Sequence, residues 1–400
     1  MRILIHDYAG HPFQVQLSRE LSKRGHEVTH AYFGGDPGPK GSLHRRDADP
    51  LGLSFERVDL DVVYNKGAFF KRRSNDIKYG KKISELIDRI KPEIVVSGNT
   101  PVESQGCILK ASHRIGAKFV FWLQDIFSIA ALKILPTKLG LLGTIVGKYY
   151  VLKERGQFQA SDAIIAITDG FTEQLKSERW RIPASKMVTI ENWGALSEIS
   201  PQPKVNPWSI EFGLADKFVF LYTGTLGLKH DPRLLVEIAR RMRDVPAVRV
   251  VAVAQGLNVA ELQRLKDAEG LDNIQLLPLQ PFDILPQVLG SGDVLVSVIE
   301  EDAGQFSVPS KVQSYLCAGR PILLSAPALN LAATVLVREH AGVVVSPGQI
   351  EAFADAAAAL QADEVVRRGM GERGRAYAER AYDISAIADR FEAVFQRALR

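Results

Sequence analysis

The sequence predicts an α/β protein made of two doubly wound, parallel-sheet domains in series. Three observations carry this. Short apolar runs alternate with helical patterns along most of the 400 residues, the mark of a parallel sheet covered on both faces. Pro201, Pro203 and Pro207 interrupt that alternation between Gly194 and Lys217, as a connector does. The alternation then restarts. The expected boundaries are 1–195, a linker at 196–217, and 218–381.

In the first half, Arg2–Ile5, Val28–Tyr32, Ile94–Ser97, Phe119–Leu123, Ala163–Ile167 and Val188–Ile190 read as strands. Phe13–Arg24 reads as a helix, with Phe13, Leu17 and Leu21 on one face and Gly25 closing it. Ile77–Ile90, Ser104–Ile115 and Gly170–Ser177 read as further helices. In the second half, strands are expected at Phe218–Tyr222, Val248–Ala254, Ile274–Leu277, Val294–Val298, Ile322–Ser325 and Gly342–Val345. Helices are expected at Arg233–Met242, Val259–Glu269, Asp283–Gly290, Lys311–Ala318 and Ala328–Glu339, with a helical remainder.

Composition excludes several classes. A hydrophobic share of 46% with 24% charged residues rules out a disordered or collagen-like chain. Two cysteines, Cys107 and Cys317, rule out a disulfide scaffold and fit a reducing compartment. The net charge of +4 is uneven, with nine Lys/Arg between Lys66 and Lys91. Such a patch calls for an anionic partner: nucleic acid, a membrane surface or a phosphorylated ligand. Phe69, Phe70 and Tyr79 interleave with it, but no nucleic-acid motif is present. The N-terminal apolar run is too short for a signal peptide. Phe127–Gly147 is the nearest candidate for a spanning helix, but it holds Lys133, Pro136 and Lys138 and reads as an interfacial or partly buried segment. Phe127–Arg155 carries five basic residues against Glu154, which suits shallow binding to an anionic bilayer or an ordinary solvated face.

Ligands of doubly wound sheets sit beyond the carboxyl ends of the strands. After the first strand of the second half comes Tyr222-Thr-Gly-Thr-Leu-Gly-Leu-Lys-His-Asp231. Gly224, Thr225, Leu226 and Gly227 offer backbone amides to a phosphate and Lys229 a charge; a plain strand–helix turn is the alternative. Glu300–Lys311 precedes a helix, with Gly304 and Pro309 shaping the loop, Ser310 placed to cap and Lys311 adding charge. Two phosphate-suited loops in one domain favour a diphosphate. In the first half, Gly10-His11, Asn99 and Gln124-Asp125 follow strands and would face an inter-domain cleft. Asp36 and Asp302 have no partner pattern. No Gly-x-Ser-x-Gly elbow and no metal-ligand spacing occurs.

These residues resemble a known family. Leu21-Ser-Lys-Arg-Gly-His-Glu-Val28, Trp122-Leu-Gln-Asp125, Ile167-Thr-Asp-Gly-Phe171, Ile190-Glu-Asn-Trp193, Tyr222-Thr-Gly-Thr-Leu-Gly and Pro309-Ser-Lys-Val-Gln-Ser-Tyr-Leu-Cys-Ala-Gly-Arg-Pro-Ile322 are similar to those of retaining family-four glycosyltransferases of the GT-B fold. The WbuB-like subgroup, which includes L-fucosamine transferases, is nearest. The resemblance implies a C-terminal domain holding a UDP-sugar, an N-terminal domain holding the acceptor, and a final helix, 382–400, crossing back to the first domain. It implies transfer of an N-acetylated amino sugar to a lipid-linked diphosphate-sugar or oligosaccharide, without metal or cofactor, at the inner face of the plasma membrane and with no nucleic-acid partner. Lys229, Lys311 and Asp125 would be catalytic. Gly224, Thr225, Leu226, Gly227, Ser310, Ser314 and Glu301 would hold the donor, and Gly10, His11, Asn99 and Gln124 the acceptor. The chain departs from the family where Phe306 and Ser314 stand for a glutamate pair, Gln124 for a histidine and Thr225 for an arginine. A UDP-sugar 2-epimerase and a non-catalytic scaffold subunit are the competing readings.

Overall fold

The computed structural model describes residues 1–35, 40–60, 69–227, 229–301 and 310–400, with the side chains of 69–71 set aside. Asp36, Lys66, Asp302, Gly304, Phe306 and Pro309 lie outside the described residues.

The chain divides into two compact units, Met1–Glu191 with Ile384–Arg400, and Asn192–Asp383. The first holds a seven-stranded sheet: β1 (Arg2–Asp7), β2 (Glu27–Phe33), β3 (Leu53–Val58), β4 (Ile94–Gly98), β5 (Lys118–Leu123), β6 (Ala163–Ala166) and β7 (Met187–Thr189). Its order is β3-β2-β1-β4-β5-β6-β7, and every pair is parallel. The apolar runs arise here: β4, with helices on both sheet faces, is buried along its whole length. β3 was absent from the sequence reading. It is an edge strand, Leu-Ser-Phe-Glu-Arg-Val, in which Leu53 alone is buried, and polar edge residues disguise the pattern.

The second unit holds β8 (Phe218–Thr225), β9 (Val248–Gln255), β10 (Ile274–Leu277), β11 (Val294–Val298), β12 (Ile322–Ser325) and β13 (Gly342–Val345), in the order β10-β9-β8-β11-β12-β13, again all parallel. In each sheet the order reverses once, between β1 and β4 and between β8 and β11. Connections leave the sheet in opposite directions there, which opens a crevice at the strand C-termini.

The stretch expected as a linker is part of the second unit's fold. Its prolines stop regular structure, but its polar groups are bonded. Asn206 and Ser209 form a capping box for the short Pro207–Glu211 helix. Lys204 pairs with Asp293 at 2.6 Å, and the Arg320 and Arg375 guanidinium groups donate to the carbonyls of Gln202 and Ile199, each at 3.0 Å.

The Ile384–Leu399 helix belongs to the first unit and explains part of the Arg-Gly-His motif. Arg24 reaches Asp389 at 2.5 Å and Glu392 at 2.6 Å, and His26 Nε2 meets Glu392 at 2.6 Å. Gly25 lies between them at φ +87°, where a side chain would be strained. Phe391 packs on Trp122, with ring centroids 4.8 Å apart.

The basic run between residues 66 and 91 is partly neutralised within the unit. Arg73 pairs with Glu103 at 2.8 Å and Arg89 with Glu56 at 2.7 Å, while Lys78 and Lys81 stay exposed. Its charge is therefore less available to a partner than the composition implies.

Candidate active site

The second unit's crevice lies where β8 and β11 part. They pair only through Val294–Val296 against Phe220–Tyr222. Just beyond, the backbone N–H of Thr223 has no strand partner on that side. The Tyr315 hydroxyl, from the Ser310–Ala318 helix, accepts from it at 3.0 Å and lies 3.3 Å from the Val296 carbonyl, to which it donates. One buried phenol thus satisfies both parted strands and fixes the helix over the switch point.

Lys311 stands in the first turn of that helix. Its ammonium donates to the Tyr222 hydroxyl at 2.5 Å and lies 3.8 Å from the Tyr222 ring centroid. The Tyr222 hydroxyl in turn donates to the Thr225 carbonyl at 2.7 Å. Among the described residues no carboxylate pairs with Lys311, and burial lowers its pKa to about 7. A Cβ on Gly224, which sits at φ +104°, would lie 4.0 Å from the Lys311 Nζ. Glycine is required there by its backbone angle, and it leaves the space beside the ammonium open. A part-buried cation in the first turn of a helix stands beside this open space, a combination suited to phosphate.

The loop after β8 is fixed from beneath. The Leu226 N–H donates to the Gln255 carbonyl at 2.7 Å, and the Gly227 N–H donates to His230 Nδ1 at 3.0 Å. Burial first and the Lys311 charge second hold His230 neutral, with a pKa of about 4. The Asn258 amide donates to the carbonyls of Gly227 and His230. The Glu300 N–H donates to the Lys229 carbonyl at 3.1 Å, joining the loops after β8 and β11.

Several sequence expectations change here. The Leu226 amide is bonded to the Gln255 carbonyl and its side chain is fully buried in the core, so neither is open to a phosphate. The Gly227 amide is spent as well. Thr225, Lys229, Glu301 and Ser310 are exposed, and Ser314 is half-buried one helical turn from Lys311. Tyr222 and Tyr315 escaped the sequence reading because each looks like an ordinary apolar position on its element. Only their hydroxyl contacts reveal a role.

In the first unit Gly10, His11 and Asn99 come together on a residue the sequence did not single out, Asp7. Its buried carboxylate ends β1. It accepts from the backbone N–H of Ala9 at 3.1 Å, from that of His11, and from the Asn99 amide at 3.4 Å. The Gln14 amide nitrogen, in the orientation that satisfies both groups, donates to both Asp7 oxygens at 2.8 Å. Burial raises the Asp7 pKa against the opposing pull of His11. Gly10 sits at φ +76°, with a hypothetical Cβ 2.8 Å from the Leu43 side chain, so only glycine fits. His11 Nδ1 is buried without a hydrogen-bond partner among the described residues. Gln124 and Asp125 follow β5, next to β4, half-buried and exposed respectively. The Asp125 charge is felt by the buried Glu154, whose pKa is raised to about 7, chiefly by burial. Among the described residues no cluster of three His, Cys, Asp or Glu could hold a metal.

Comparison with known proteins gives this architecture its family context. Residues 14–193 match the Glycosyltransferase Family 4 model, and residues 217–363 match Glycosyl transferases group 1. Sucrose-phosphate synthase from Thermosynechococcus elongatus superposes with a TM-score of 0.73 at 16% identity, covering 99% of this chain and 98% of that one. The chain has the GT-B fold, with one glycosyltransferase model matched in each half. Anabaena Alr3699/HepE, solved in complex with UDP, gives a TM-score of 0.70 at 15% identity over 99% of this chain and 100% of that one. In sequence, the chain is 29% identical over 176 residues to the putative colanic acid biosynthesis glycosyl transferase WcaI of Escherichia coli (strain K12), which is 43% of each chain. The GT-B chain spans 43–62% of the length of the curated relatives it matches.

Proposed function

We propose that the protein is a retaining glycosyltransferase that moves an N-acetylated amino sugar from a UDP-sugar to a lipid-linked diphosphate-sugar or oligosaccharide. It would do so in bacterial surface-polysaccharide assembly, at the inner face of the plasma membrane, with no metal or cofactor. The observation that carries the reading is Lys311, a part-buried ammonium with no carboxylate partner among the described residues, set beside Gly224 at the switch point of the second sheet. A diphosphate would supply the missing negative charge. The UDP complex of HepE and the polysaccharide role in the WcaI name support the donor and the pathway class.

In the proposed reaction the bond between the sugar C1 and the β-phosphate oxygen breaks while the acceptor hydroxyl bonds to C1 on the same face. The hydroxyl proton passes to the departing phosphate oxygen, which balances the step without a protein base. Lys311, with Lys229 at the loop rim, stabilises charge that grows on the diphosphate as the bond breaks, the most effective place for a fixed cation. His11 and Asn99, held by Asp7, would meet the acceptor.

The test is a panel of UDP-sugars offered with undecaprenyl-diphosphate-linked sugars, read by UDP release. Lys311→Ala should lower turnover by about 10²-fold or more, by analogy with loss of one oxyanion donor. Interconversion of UDP-sugars without an acceptor, or full turnover in Lys311→Ala, would overturn the reading.

A further inference from the structure

The Phe127–Ala160 segment is not one helix. Gly140 adopts φ +56° and ψ −130°, outside helical values, and the chain reverses there. The contacts pair antiparallel about it. A Cβ on Gly143 would strike the Leu135 carbonyl, and one on Gly147 would lie 2.9 Å from the Leu132 side chain. Glu154 accepts from the N–H groups of Phe127 and Ser128 at 3.0 and 2.9 Å, capping one arm from the other. The result is a closed helical hairpin, glycine-packed along its seam.

Its outer surface is apolar. Leu139, Leu141 and Leu142 at the tip are 54%, 81% and 69% exposed, and Ile134, Ile145, Tyr149 and Leu152 continue the patch along the arms. Only 11% of its most apolar 18-residue window is buried. From residue 127 to 153 there is no Asp or Glu, while Lys133, Lys138 and Lys148 are exposed. Apolar patches of this kind mark an interaction surface.

We propose that this hairpin is a monotopic insert that lies in the surface of an anionic phospholipid bilayer. This deepens the membrane-face reading above and rests on it. Charge complementarity selects the occupant: exposed Lys138 and Lys148, in a stretch from 127 to 153 that holds no Asp or Glu, match anionic headgroups. The lysines occur along the whole hairpin, including beside the tip. It therefore lies along the headgroup–acyl boundary, its apolar face about 5–10 Å deep and its lysines reaching back to phosphates. The break at Gly140 leaves exposed apolar arms of about 20 Å, short of the ~30 Å hydrocarbon core.

The experiment is vesicle flotation of the full chain without nucleotide sugar. Phosphatidylcholine vesicles containing phosphatidylglycerol are compared with phosphatidylcholine alone, at low and high salt. The wild type should float with the anionic vesicles. Leu141→Glu with Leu142→Glu should lower partition by more than about tenfold, with unchanged circular dichroism and unchanged UDP binding. Both leucines are exposed, so the fold does not depend on them. Lys133→Gln, Lys138→Gln and Lys148→Gln together should remove the preference for anionic lipid and its salt sensitivity. Equal flotation of the wild type and the leucine variant overturns the proposal. So does a wild-type dimer that the leucine variant dissolves while neither floats, because the patch then covers a second copy. Intact UDP binding with failed flotation sinks the hairpin alone; flotation without UDP binding sinks the donor reading alone.

Discussion

Lys311 makes UDP binding depend on pH in a defined direction. In the free protein burial holds its pKa at about 7, whereas an exposed lysine titrates near 10.4. A diphosphate beside it favours the charged form and raises that value on binding. Just below pH 7 the ammonium is already present while the diphosphate, whose second ionisation lies at about 6, keeps most of its charge, so affinity is highest there. Above pH 7 the bound state must take up a proton, and affinity falls by up to about tenfold per pH unit until the bound-state pKa is reached. At pH 8 this is about 1.4 kcal/mol. Isothermal titration of UDP in two buffers of different ionisation enthalpy should show uptake approaching one proton at pH 8.5 and little at pH 6. Lys311→Ala should bind more weakly and lose the slope, whereas Lys311→Arg should lose the slope while keeping a charge. Tyr222→Phe, which removes the hydroxyl acceptor but keeps the ring, should keep the slope. An affinity that rises with pH, or a slope that persists in Lys311→Ala, would refute the reasoning. The same shift predicts that the unliganded protein gains stability as pH rises from about 7 towards 10, because the unfolded chain then binds the extra proton.

Two further outcomes follow from contacts on either sheet. Tyr315→Phe leaves the Thr223 N–H and the Val296 carbonyl without their bridge and should cost about 1–3 kcal/mol in urea denaturation, with UDP affinity reduced because the Lys311 helix loses its tie to β8. Glu392→Ala strips Arg24 and His26 of a shared carboxylate and should cost about 1–2 kcal/mol in the same measurement, with susceptibility to proteolysis rising first at the Ile384–Leu399 helix.

The sequence by itself determined the architecture. Parallel strands covered on both faces must be apolar nearly throughout, so β4, β9 and β11 stand out in the chain, and the restart after the prolines counts two sheets. It also placed Gly224, Gly10, His11 and Asn99 just beyond strand ends and Lys311 at a helix start, because the switch-point rule needs only the order of elements. The tertiary structure decided the rest. Edge strand β3 was hidden because polar Ser54, Glu56 and Arg57 break its apolar run. The amides of Leu226 and Gly227 are bonded to Gln255 and His230, contacts no local pattern encodes. The contacts of Asp7, Tyr222 and Tyr315 were not legible, because a buried polar group takes meaning from the partner it meets. The connector became part of the second unit because arginines far along the chain bond its carbonyls. The apolar run from Phe127 was legible as apolar and basic, but its form was not. A single φ at Gly140, and the glycine contacts that follow it, turn a candidate spanning helix into a hairpin with its leucines outward.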